Sequence, residues 1–221
     1  MSAASAVQAV LFDLDGTLAD SAPDLVAALA TLCAEIGRAE PDPVAVSRVV
    51  SAGGRAILRC GLPGIDEAQV EALLPRYLDL YAARGNVSTR LYDGIDEVLR
   101  DLEGQGIAWG IVTNKVAWLA APVVEKLGLA RRCGALVAGD TLARRKPDPD
   151  PVLHACALLE VDPSRTLFVG DDLRDIEAGR AAGTRTIAAA WGYLNGGDPA
   201  DWGADAIAAT VAALPAVLRL D

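Results

Sequence analysis

Ala9-Val10-Leu11-Phe12-Asp13-Leu14-Asp15-Gly16-Thr17-Leu18 decides how the chain folds. Its first four residues are apolar without alternation, the pattern of a strand covered on both faces, and a turn with two aspartates and a glycine follows at once. Two further runs behave the same way, Ile107-Ala108-Trp109-Gly110-Ile111-Val112 and Thr166-Leu167-Phe168-Val169. Each ends in a polar or glycine-containing turn. Helical patterns at 94–102, 116–127, 151–159 and 173–182 alternate with them. The alternation predicts an α/β fold, a doubly wound parallel sheet of Rossmann type. Right-handed crossovers then bring the strand C-terminal ends to one edge, where open sheets of this kind bind their ligands.

The segment 18–89 interrupts that order. It reads as helices with no buried strand, so it is expected to form an inserted α-helical cap, leaving 1–17 and 90–221 as the core. Ser21, with Pro23 and Asp24 after it, is expected to cap the first helix. Leu25, Ala28, Leu29, Leu32 and Ile36 give that helix one apolar face. A second helix is expected over 66–84, where Pro75 predicts a kink or a division. Ser51-Ala52-Gly53-Gly54-Arg55 reads as a flexible connection, and Arg55 is a candidate to reach a ligand anion.

Composition narrows the partners. A chain of 221 residues that is 52% hydrophobic can bury a large core. The net charge of -10 and the lack of any Lys/Arg run argue against nucleic acid or an anionic membrane surface. A small phosphorylated molecule needs only local positive charge. Cys33, Cys60, Cys133 and Cys156 form no C-x-x-C pair and read as reduced packing residues, as in the cytoplasm. Residues 1–12 carry no basic group and no long apolar run, so export is not indicated and a cytoplasmic location is expected.

Asp13 and Asp15 leave the end of the first strand one residue apart and can face the same space. At about 4 Å and an effective dielectric near 20 their repulsion is on the order of 4 kcal/mol, which a cation or a shared proton has to offset. Magnesium suits such a site, because it prefers hard oxygen ligands and keeps several positions for water and phosphate. A calcium EF-hand loop is out of register: Gly16 comes two residues too early, and Asp24 stands where the distal glutamate belongs.

Three more segments carry polar groups beside predicted strands or helices: Ile111-Val112-Thr113-Asn114-Lys115, Arg145-Lys146-Pro147-Asp148-Pro149 and Val169-Gly170-Asp171-Asp172-Leu173-Arg174-Asp175. Each alone is weak, but in this order, with the first, they resemble the four motifs of the haloacid dehalogenase superfamily. The likeness spans the core, about two-thirds of the chain, and the helical insertion resembles that superfamily's small α-helical cap. Carried over by position, the resemblance implies Asp13 as nucleophile and Asp15 as general acid/base. Thr113, Asn114 and Lys146 would bind phosphate. Mg²⁺ would contact Asp13, the Asp15 backbone carbonyl and Asp171, while Asp175 would position Lys146 or the metal's waters. Phosphoryl transfer to a carboxylate wants such a set, since a cation and a fixed ammonium cancel the repulsion between two anions. Asp15 argues against the dehalogenases, which lack an aspartate there. No lysine lies between Ser21 and Arg90 to form the Schiff base of the phosphonate-cleaving branch.

Within the superfamily the chain resembles the phosphoglycolate phosphatases and, more closely, the bacterial N-acetylmuramic acid 6-phosphate phosphatases of cell-wall recycling. That likeness rests on Ser51 to Ala56, Trp109 to Lys115, Gly170 to Thr186 and Trp202-Gly203-Ala204-Asp205. It implies a small-molecule phosphate monoester as substrate, with sugar phosphomutase activity as an alternative. Both candidate substrates carry a carboxylate, which Arg55 could meet in a bidentate contact. His154 reads as a surface or half-buried helix residue, and Trp109 and Trp118 as core. Trp191, Tyr193 and Trp202 read as anchors of a glycine-rich loop. Arg144 and Arg145 read as solvated groups that could help attract anions.

Overall fold

The computed structural model describes residues 7–218. The central sheet is built from β1 (Ala9–Phe12), followed after the insertion by β4 (Ala108–Val112), β5 (Ala135–Val137), β6 (Thr166–Gly170), β7 (Arg185–Ala189) and β8 (Ala206–Ala208). A two-residue ribbon of β2 (Ala19–Asp20) and β3 (Arg90–Leu91) brackets four helices, α1 (Ala22–Glu35), α2 (Pro43–Ser47), α3 (Gly54–Gly61) and α4 (Glu67–Arg84). Helices α5 (Ile95–Gly104), α6 (Ala117–Lys126), α7 (Asp150–Leu158), α8 (Leu173–Ala182) and α9 (Leu214–Leu218) belong to the core. The strand order is β5-β4-β1-β6-β7-β8, and every pair is parallel. The fold is therefore the doubly wound α/β sheet. The chain winds outward from β1 to β5, then returns across β1 to β6, so the order reverses beside β1, where such sheets open a crevice.

The period of two along β1 explains how both faces are covered. Val10 and Phe12 join Val98, Leu99, Val123 and Leu214 on one side, while Leu11 joins Val152, Ala155, Phe168 and Ala178 on the other. Each fully buried large aliphatic or aromatic side chain contributes about 1.5–3 kcal/mol. Between the layers, β1 has no polar face to offer, which is why its polar groups come at its end.

The inserted helices have a core of their own, with Leu25, Leu29 and Leu32 of α1 against Leu58, Tyr77 and Tyr81. The apolar face expected for α1 forms, although Ile36, at its C-cap, is 40% exposed. Helix α4 begins in a capping box between Asp66 and Gln69 and ends at Gly85 in the left-handed region. It passes Pro75 as one element instead of dividing. Pro75 lies on the solvent side, and burial of Val70, Tyr77 and Tyr81 with both caps offsets the roughly 3 kcal/mol of an interior proline.

Ser21 precedes α1, but its side chain makes no cap bond; the hydroxyl donates to Asp15 instead (2.5 Å). The two N–H groups of Ser21 and Ala22 go to the Tyr193 hydroxyl (2.8 and 2.9 Å). At the other side of the ribbon, fully buried Asp24 accepts from Ser88 N, Thr89 N, Thr89 Oγ1 and Arg84 Nε at 2.7–3.1 Å. The chain's exit from the core and its return are thereby tied together. Trp109 is buried as expected, but Trp118 is 50% exposed. It lies outside the buried stripe of α6, made by Leu119, Ala120, Val123 and Val124. All four cysteines are free, and among the described residues no helix is long and apolar enough to cross a membrane.

Candidate active site

The strand ends supply the site. Asp13 continues β1 by donating its N–H to Val169 O (2.9 Å), and Thr113 continues β4 by donating to Val137 O (2.9 Å). Backbone pairing therefore sets where these side chains emerge. Lys146 comes from the loop before α7, and its ammonium is buried between Asp13 Oδ1 (2.9 Å), Asp175 Oδ1 (2.7 Å) and the Val112 carbonyl (2.7 Å). Burial alone would lower its pKa, but Asp13 and Asp175 outweigh that and raise it.

Asp171 and Asp175 flank the start of α8. Asp171 accepts from Thr17 Oγ1 (3.1 Å), Ser51 Oγ (2.9 Å) and Tyr193 N (2.9 Å). Asp175 closes a capping box with Asp172. Oxygens of Asp13, Asp171 and Asp175 lie within 4.8 Å of one another. Burial, then the charges of Asp13 and Asp175, push the Asp171 carboxyl well above its ordinary range. Burial raises Asp175 to about 7 against the pull of Lys146, with Asp13 adding to the rise. Gly16 lets the chain pass close by: at φ +86° it sits where a Cβ would fall 2.1 Å from Asp171 Oδ2.

Asp15 points elsewhere. Its carboxylate takes the Lys115 ammonium through both oxygens (3.0 and 3.1 Å) and the Ser21 hydroxyl, and Lys115 also stands 4.6 Å over the Tyr81 ring. Burial opposes the charge on Lys115, and Asp15 more than restores it, so its pKa is raised. Four carboxylates, Asp13, Asp15, Asp171 and Asp175, thus face two ammonium groups, Lys115 and Lys146. With all four ionised the site would carry two negative charges in excess, which, on top of burial, is why Asp171 and Asp175 hold their protons more tightly and what one divalent cation would relieve. The Asp13–Asp171–Asp175 oxygens are the hard donors such an ion prefers. The acidic cluster can hold a metal ion.

A cavity of about 220 Å³ lies between the core and the inserted helices. Asp13, Asp15, Thr113, Asn114 and Lys115 form its polar floor, and Leu25, Ile57, Leu74, Tyr77, Leu78 and Tyr81 much of its apolar wall. Asp171, Asp175 and Lys146 sit behind Asp13, off this wall. The turn at Val50–Ala52 touches the core directly: Ser51 reaches Asp171, and Arg174 donates to the Ser51 carbonyl (2.6 Å).

A haloacid dehalogenase-like hydrolase family model matches residues 10–189, which contain every motif just described. The chain belongs to the haloacid dehalogenase-like hydrolases. It is 48% identical to an N-acetylmuramic acid 6-phosphate phosphatase of Pseudomonas aeruginosa over 91% of this chain and 90% of that one. It is 45% identical to a phosphoglycolate phosphatase of Xanthomonas campestris pv. campestris over 90% of this chain and 91% of that one. A solved structure of a predicted phosphoglycolate phosphatase from Haemophilus somnus shares the fold, with a TM-score of 0.85 at 24% identity, covering 96% and 97% of the two chains. The chain is a phosphatase of this family.

Of the candidates read from the sequence of this haloacid dehalogenase-like phosphatase, Asp13, Lys146, Asp171 and Asp175 form one contiguous cluster, and Asp15, Thr113 and Asn114 border the same cavity. Thr113 Oγ1 accepts the Lys115 N–H (3.2 Å), which leaves its O–H to donate. Asn114 donates to the Lys146 carbonyl (2.9 Å) and so braces the lysine's loop. Arg55 also lines the cavity, but its guanidinium is engaged by Glu71 through Nε (2.5 Å) and Nη2 (2.8 Å). Trp191 and Tyr193 anchor their loop, donating to the Thr17 carbonyl (3.1 Å) and to Asp20 (3.0 Å). Sequence reading assigned no role in the site to Lys115 and Ser51, and it assigned Ser21 to a helix cap and not to Asp15. The one available signal was Lys115 itself, a charge at the end of a buried strand, whose partner Asp15 lies 100 positions away.

Proposed function

We propose that the chain hydrolyses a small phosphate monoester by way of an aspartyl phosphate on Asp13, with Mg²⁺ held by Asp13, Asp171 and the Asp15 backbone carbonyl. The observation that carries the reading is the buried cluster of Asp13, Lys146, Asp171 and Asp175 opening through Asp13 onto a cavity shared with Asp15. When bound, the metal supplies positive charge against the phosphoryl oxygens and the excess of carboxylates. Asp13 attacks phosphorus, the P–O bond to the leaving group breaks, and an acyl phosphate forms. Asp15, protonated, gives its proton to the departing alkoxide; as carboxylate it then takes one from the water that hydrolyses the acyl phosphate. Thr113 and Lys146 hold the phosphoryl group, Asn114 supports their loops, and Asp175 keeps Lys146 in place.

Residues 18–89 act as a cap that encloses the leaving group, with 1–17 and 90–221 as the catalytic core. The largely apolar wall and the volume of the cavity suit a leaving group larger than glycolate, which favours N-acetylmuramic acid 6-phosphate in cell-wall recycling. The similarity to phosphoglycolate phosphatases supports 2-phosphoglycolate as the second reading. The setting is cytoplasmic, with neither nucleic acid nor membrane as partner. A parallel kcat/KM comparison of N-acetylmuramate 6-phosphate, 2-phosphoglycolate and common hexose phosphates, with Mg²⁺ and with EDTA, tests both levels. A clear preference for the first and silence in EDTA are expected. Equal turnover of all substrates would remove the substrate reading, and full activity in EDTA the metal.

A further inference from the structure

Four cationic side chains line the cavity: Arg55, Lys115, Arg145 and Arg174. Three are committed. Arg55 holds Glu71 in a bidentate pair, Lys115 holds Asp15, and Arg174 holds Asp172 and the Ser51 carbonyl. Arg145 is exposed at the cavity and has no ion pair or side-chain hydrogen bond among the described residues. Its neighbour Arg144 faces away, to Asp148 (3.0 Å) and Asp150 (2.7 Å).

The backbone at Arg145 is held firmly. Its carbonyl accepts the Asp148 N–H (2.9 Å), and the next residue is Lys146, whose ammonium has three buried contacts. An anion bound by Arg145 would therefore share the cavity that a phosphoryl group at Asp13 enters. A second anionic group on the same small molecule would find there a planar guanidinium with its fork of donors unused. Binding it at Lys115 or Arg174 would first break a contact that holds the acid/base residue or joins cap to core, and at Arg55 it would have to displace Glu71 from both donors.

We infer that Arg145 is the specificity-determining residue that binds a carboxylate carried by the substrate's leaving group, an inference that rests on the phosphatase reading above. The contact distinguishes a carboxylated phosphate monoester from an otherwise identical neutral one. It acts on substrate binding and leaves the phosphoryl chemistry unchanged.

A matched pair tests it: N-acetylmuramate 6-phosphate and N-acetylglucosamine 6-phosphate, which differ by the lactyl ether that bears the carboxylate. Wild type, Arg145→Ala, Arg145→Lys and Arg55→Ala are compared on both, with Mg²⁺ present. Arg145→Ala should raise KM for the carboxylated sugar about tenfold or more, the scale of one charge-assisted contact, with little change for the other sugar and in kcat. Arg145→Lys should recover part of the loss. Equal effects of Arg145→Ala on the two sugars, or a selective effect from Arg55→Ala in its place, would overturn the assignment while leaving the phosphatase reading intact. Wild type that turns over p-nitrophenyl phosphate but neither N-acetylmuramate 6-phosphate nor 2-phosphoglycolate would sink the substrate reading, and this inference with it.

Discussion

Asp24 and the pair Asp171 and Asp175 are all closed off from solvent and have opposite electrostatics. Burial raises the Asp24 carboxyl, but bonds from Thr89, Arg84 and Ser88 outweigh it and hold the group below its ordinary value. Asp171 has three neutral donors where Asp24 has four and one of those a guanidinium, and it faces Asp13 and Asp175, so burial with those charges drives it up. The neighbouring charge separates them, a guanidinium at Asp24 and two carboxylates at Asp171. Asp24 is a completed clasp between the two linkers of the cap, whereas the cluster behind Asp13 keeps a surplus of negative charge that an added cation would relieve. The difference marks one region as structure and the other as chemistry.

Four experiments would break or sharpen that contrast. The largest effect is expected from Asp13→Asn, which should lower kcat on p-nitrophenyl phosphate about 10⁴-fold or more, with no fall in Tm, because it removes one charge from a crowded set. A large loss of Tm would mean that Asp13 is also a structural residue like Asp24. Asp24→Asn should do the reverse, costing about 3 kcal/mol of stability and so roughly 6–12 °C in Tm by thermal unfolding, for the loss of a buried charge's partners. The sign with pH follows from the lowered folded pKa. The stabilising contribution is whole above the ordinary carboxylate value of 3.8 and is lost as pH falls through the depressed one, so wild type and variant should converge only in strong acid.

Next comes the ion. Mg²⁺ at about 100 times its Kd should stabilise wild type by about 2.7 kcal/mol, visible as a rise in Tm, and Asp171→Asn should abolish most of that shift. An unchanged shift in the variant would place the ion elsewhere. The smallest effect belongs to Ser51→Ala, which removes one hydrogen bond from the cap to Asp171. Loss of about 1 kcal/mol predicts a fall of about fivefold in kcat/KM with an almost unchanged Tm.

Much of this was legible in the chain. Apolar runs without alternation, each ended by a polar turn, sufficed for β1, β4 and β6, because a strand between two helix layers has no polar face to hide. The Asp66 box and Gly85 bounded α4 through local bonds alone. The short strands β2, β3, β5 and β8 were not singled out, since two or three residues carry too little pattern to separate from a loop. Strand β7 was missed as well, because Arg185-Thr186-Ile187-Ala188-Ala189 has one large apolar residue and no apolar run to mark it. Ser21 looked like a helix cap, yet its hydroxyl found a stronger acceptor in Asp15, and Trp118 looked like core, yet the phase of α6 turns it outward.

Taken by itself, the sequence determined which residue types arrive at the strand ends and in what order: Asp13 and Asp15, then Thr113, Lys146, Asp171 and Asp175. Tertiary structure alone decided which charge meets which, with Lys115 on Asp15, Lys146 between Asp13 and Asp175, and Arg55 taken by Glu71 while Arg145 has no ion pair among the described residues. The reason is range. Capping and burial patterns are set by neighbours within a few positions, whereas an ion pair between residues 15 and 115 exists only once two parallel strands have been brought side by side.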